Sequence, residues 1–145
     1  MSLKQWLING WLRGHKPSRK EIRDLLAVAD RDMSNCDVAG LSPDWQLNIA
    51  YNAALQIAAA ALAAEGYRAE RELHHYRTLQ SLEFTLQLDA ASLRQLDVFR
   101  KKRNISDYER AHTVSEAEAA EMKALARELR EQIEPWLKKK HPDLL

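Results

Sequence analysis

Apolar residues recur at intervals of three or four through most of this chain, which is the spacing of amphipathic helices. Leu3, Trp6, Leu7 and Trp11 form the first such set, a short helix weakened by Gly10 and Gly14. Two tryptophans so near a terminus are expected to dock on the body of the protein or on a second subunit. Pro17 breaks the pattern. Ser18 then caps a second helix, with Glu21 three residues on as the partner of a capping box and Ile22, Leu25, Leu26, Ala29 and Met33 as its stripe. Ser42-Pro43-Asp44 opens a third helix, which runs to about Glu65 and is stopped by Gly66. It would be roughly 35 Å long.

The third helix is apolar on more than one face, so it is expected at the centre of the fold. Its polar stripe of Asn48, Asn52 and Gln56 either meets solvent, caps something nearby or lines a cleft. Tyr67 to Glu72 reads as a connector. Leu73, Tyr76, Leu79, Leu82 and Leu86 mark a fourth helix that carries His74 and His75. Asp89 caps a fifth, with Leu93, Leu96 and Phe99 on its inner side. Ser115 and Glu118 form a second capping box, opening a long last helix through Met122, Leu125, Leu129, Ile133 and Trp136, loosened near its end by Pro135. No strand of period two and no internal repeat stands out. The expectation is an all-α, up-and-down bundle of four long helices plus one or two short ones, with residues 1–17 as an N-terminal arm and 18–142 as the bundle domain.

Composition fits that picture. The chain has 145 residues, enough for one core, and only four glycines and four prolines. A formal charge of +1 gives no global field for a polyanion, so any anion site must be local. Cys36 is the single cysteine, which excludes an intramolecular disulfide and a thiolate cage. A cytoplasmic protein without a signal peptide or membrane span is expected, the Ala-rich run Ile57 to Ala64 being too short to cross a bilayer. Neither GxGxxG, GxxxxGK nor GxSxG occurs, and the histidines lack a metal-binding spacing, so no cofactor and no metal are expected.

The most chemically loaded stretch is Phe99 to Tyr108, FRKKRNISDY. Arg103 lies one turn beyond Phe99 and so falls on or beside the inward face, unlike Lys101 and Lys102. A guanidinium there needs a partner, whether structural or a ligand. The run Arg100 to Arg103 can neutralise phosphates, and Tyr108 can stack on a base. The alternative is a solvated basic helix end, favoured by the helix dipole, with Asp107 paired to Arg103.

Three segments together resemble the HEPN superfamily: YNAALQIAAAALAAEGYR from Tyr51 to Arg68, HHYRTLQSL from His74 to Leu82, and KKRNISDYE from Lys101 to Glu109. The capped last helix completes a likeness that covers about Arg19 to Pro142. The resemblance implies a helical bundle that acts as a homodimer, with an Arg-centred motif facing a shared cleft. It also implies RNA or a nucleotide as ligand, or a nucleotidyltransferase-type or antitoxin partner. Arg103 and Asn104 match the motif, but its histidine position falls on Tyr108, and an ordinary tyrosine is a poor proton shuttle at neutral pH. The implied roles are Arg103 to grip an anion, Asn104 to hold the loop or ligand, and Tyr108 to stack or donate its hydroxyl. Arg100, Lys102, Asp107 and His75 would support binding. The resulting reading is a non-catalytic module binding RNA, a nucleotide or a partner protein. Its alternatives are a metal-independent endoribonuclease using His75 or His112 as base, and a purely structural helical interaction protein.

Overall fold

The structure is a computed structural model and describes residues 1–103 and 114–145. Among these residues lie four long helices and two short ones. The long ones are α2 (Arg19–Asn35), α3 (Pro43–Ala64), α5 (Ala90–Arg103) and α6 (Glu116–Lys140); the short ones are α1 (Leu3–Ile8) and α4 (His74–Gln80). Single 3₁₀ turns follow α4 at Ser81–Glu83 and α6 at Pro142–Leu144. The all-α bundle expected from the periodicity is therefore present.

Helix α3 is the axis of the fold. It packs along α2 and α6 and meets α4 and α5 over shorter contacts. Ala50, Ala53, Ala54, Ala58, Ala60 and Ala61 are all fully buried, which lets neighbouring backbones approach closely. By length and composition α3 is long and apolar enough to cross a membrane, and 72% of its apolar window is buried inside the fold. The Ala-rich run alone understated that helix.

The local start and stop signals act largely as read. Ser115 and Glu118 form both bonds of a capping box. Pro43 stands in the first turn of α3, and Gly66 takes φ 96° just beyond its end, a conformation cheap only for glycine. Ser18 accepts from the Glu21 amide, but the Glu21 carboxylate turns away to His15, whose Nε2 lies 2.8 and 2.9 Å from its two oxygens, so that box is half made. Helix α6 continues through Pro135 to Lys140 instead of loosening there.

The first helix ends at Ile8, short of the Trp11 that the spacing included, because Gly10 turns the chain at φ 79°; two short strands, β1 (Leu12–Gly14) and β2 (Tyr67–Ala69), then pair antiparallel, the second where a connector was expected. Three residues are too few to display a period-two pattern. The ribbon carries the N-terminal arm back onto the body. There Trp6, Leu12, Leu62 and Ala69 form a small second core, with Trp6 edge-on to Trp11 and Phe84. The tryptophan arm thus docks on its own chain.

Candidate functional site

The C-terminal turn of α5 and the first turn of α4 meet against the middle of α3. Leu93, Leu96 and Phe99 are buried and fix the roll of α5, which brings Arg103 to the α3 side as the spacing implied. The Arg103 guanidinium carbon sits 5.2 Å from the centroid of the Tyr51 ring. From α4, the His75 ring lies 6.5 Å from the same ring. Arg100 stacks 5.3 Å from Tyr76. Arginine on an aromatic face recurs in this fold, since Arg77 sits 3.8 Å from the Trp11 ring. Such stacking helps fix a guanidinium in place.

Arg100, Lys101 and Lys102 of the basic run are bonded to carboxylates. Arg100 Nε donates to Asp97 Oδ1 at 2.8 Å, and Lys101 reaches the other oxygen of Asp97 at 3.4 Å. Lys102 is bonded to Glu118 and holds that carboxyl below its usual range. Lys102 is therefore half-buried, not outward like Lys101, and it staples the end of α5 to the start of α6. The sequence reading missed this because Glu118 was assigned wholly to its capping box.

Burial and nearby charge set the protonation states. Tyr51 is fully buried, and its phenol is pushed up to about 12 by that burial, partly offset by Arg103 and Arg100. Its hydroxyl makes no hydrogen bond among the described residues. His75 is held below the ordinary histidine value, first by burial and then by the charges of Arg103, His74 and Arg100. His74 is lowered likewise, by burial and then by Arg68 and Arg13. Both imidazoles are therefore neutral at pH 7, able to accept a proton. The chain enters this turn through Leu73, which takes φ 55°, a left-handed conformation unfavourable for a leucine.

Of the residues expected in the site, Arg103, Arg100 and His75 are brought together. Asn104, Asp107 and Tyr108, with His112, lie outside the described residues. No family model, curated protein or solved structure shows a significant match to this chain.

Tyr51, Tyr76, Asp97 and His74 belong to the cluster although the sequence reading did not assign them to it. Tyr51 was legible only as one more apolar position on α3. The polar stripe on the same helix divides its work. Asn52 Nδ2 donates to the buried Asp32 at 2.6 Å, and Gln56 bonds Asn52 at 3.3 Å while also lining a groove of about 200 Å³ between α2, α3 and α4. A larger hollow of about 700 Å³, lined by Lys4, Glu65, Tyr67 and Glu83 among others, shares no residue with the cluster. Among the described residues, no three histidine, cysteine or carboxylate side chains gather as a metal site.

Proposed function

We propose that this chain is a HEPN-like module that binds RNA through a phosphate contact at the end of α5 and does not cleave it. Arg103 is the group that grips the anion. The observation that supports this is its seat on the Tyr51 ring, which holds the guanidinium in a fixed place near the imidazole of His75. A guanidinium offers planar, charge-assisted hydrogen bonds that suit phosphate oxygens. On this reading two copies associate so that their α5 ends share one cleft. Val98, 49% exposed on α5, supplies apolar surface on that helix.

One observation favours a second reading, a metal-independent ribonuclease. His75 is a neutral imidazole under the charge of Arg103, so it has the protonation state a general base needs. Incubating labelled single-stranded RNA in EDTA with wild type, Arg103→Ala and His75→Ala separates the two. Intact RNA retained by wild type and His75→Ala, and released by Arg103→Ala, is the expected result. Cleavage by wild type that disappears in both variants establishes the ribonuclease instead. Identical behaviour of wild type and Arg103→Ala contradicts both.

A further inference from the structure

The β ribbon places Arg13 directly opposite Arg68. Their flanking partners Leu12 and Ala69 are buried, so both arginines stand on the outer face of the ribbon. Like charges directly opposed across two strands are unfavourable. Neither arginine enters an ion pair among the described residues. On the α2 and α6 side the fold does the reverse: Lys123 and Arg127 share Asp37, and Arg130 pairs with Asp30.

Arg68 also lines the groove between α2, α3 and α4, together with Gln56, Thr78, His74 and His75. The one carboxylate in that lining, Glu21, is taken up by His15. Consecutive residues on a helix point about 100° apart, and the His74 and His75 rings diverge accordingly, with centroids 5.8 Å apart and planes at 64°. His74 feels Arg68 and Arg13, whereas His75 feels Arg103 and Arg100. Two clusters of positive charge therefore meet at this pair of imidazoles.

We infer that the groove is a second phosphate subsite, with Arg68 on its wall, Arg13 opposite Arg68 on the ribbon beside it and His74 as a further hydrogen-bonding group, so that the ligand is a phosphodiester chain spanning both clusters. This rests on the RNA-binding reading and specifies its ligand: a single-stranded oligonucleotide in preference to a mononucleotide. Such a chain offsets the opposed arginines, which nothing described in the fold neutralises.

The test is anisotropy of a fluorescein-labelled oligouridylate over a salt series, with competition by uridine 5′-monophosphate. Replacing Arg13 and Arg68 by alanine is expected to weaken the oligonucleotide about tenfold, and to reduce the salt slope by about 0.7 for each phosphate no longer neutralised. Binding of the monophosphate stays as in wild type. Arg103→Ala weakens both ligands, and Arg68→Lys keeps the wild-type salt slope. Both arginines are exposed and mutually repulsive, so the double variant retains its fold, checked by its melting temperature. Wild-type affinity and slope in the double variant overturn the second subsite while leaving the α5 site intact. Weakened binding in the double variant but not in Arg103→Ala overturns the α5 reading and, with it, the two-cluster ligand. No binding of oligouridylate by wild type overturns both.

Discussion

Arg103 lies over the face of Tyr51, its guanidinium carbon 5.2 Å from the ring centroid, and the Tyr51 hydroxyl is buried without a hydrogen bond among the described residues. A buried hydroxyl left without a partner costs free energy, so replacing it by an apolar group of the same shape is close to neutral or stabilising. With its pKa pushed up to about 12, the phenol remains a donor at neutral pH. Tyr51→Phe keeps the ring beneath Arg103. It is expected to leave stability unchanged or raise it by up to about 1 kcal/mol, and to leave RNA binding as in wild type because the ring still seats Arg103. Thermal melts and anisotropy read the two effects. A clear loss of stability would show that the hydroxyl has a structural task.

His74 and His75 give the free protein a pH dependence of definite sign. Both have folded values below 6.5, so the unfolded chain binds protons that the folded chain resists. Their contribution to stability is therefore lost as pH falls through 6.5. The groups that face them are Arg13 and Arg68 from the ribbon, Arg100 and Arg103 from α5, Tyr51 from α3, and Glu21 across the groove. An anion bound among these cations restores the imidazolium form, so RNA affinity rises over the same range. Replacing both histidines by asparagine is expected to flatten both trends, measured by melting temperature and by anisotropy against pH. Trends unchanged in that variant would remove the histidines from the account.

Asn52 joins α3 to α2 through Asp32, a carboxylate only 6% exposed. Among the described residues, Asn52→Leu leaves that carboxylate with Arg31 at 3.3 Å as its remaining side-chain partner. A loss of about 1–3 kcal/mol in urea unfolding is expected, because one buried partner is removed and the other remains. Adding Asp32→Leu should recover part of the loss. An Asn52→Leu protein as stable as wild type would mean that Asp32 reaches water.

The proposed shared cleft requires association. Light scattering on a size-exclusion column is expected to give a dimer at micromolar concentration, and Val98→Glu on α5 to shift it toward monomer. A wild-type monomer under those conditions would count against the shared cleft, though not against the bundle.

Much of the fold was legible because its signals are local. Pro43, Gly66 and the Ser115–Glu118 box mark helix ends within four residues of themselves, and the alanines of α3 announce a helix approached from several sides. What stayed hidden depends on distant partners. Glu21 had the spacing of a capping box but found His15, and Lys102 had the position of a solvated cation but found Glu118. Leu12 and Ala69 pair over strands too short to carry a pattern. The site divides in the same way. Arg103 followed from the stripe of Leu93, Leu96 and Phe99, whereas the meeting of Tyr51, His75 and Arg103 exists only once three helices have packed.

The central claim is that the Arg103 charge holds RNA. Anisotropy of a labelled single-stranded RNA, with wild type and Arg103→Ala matched for melting temperature, tests it most directly. Removing a charge-assisted hydrogen bond to phosphate, of about 1.5–3 kcal/mol, should weaken binding roughly 10- to 100-fold and lower the salt slope. Equal affinities and equal slopes for the two proteins would contradict it.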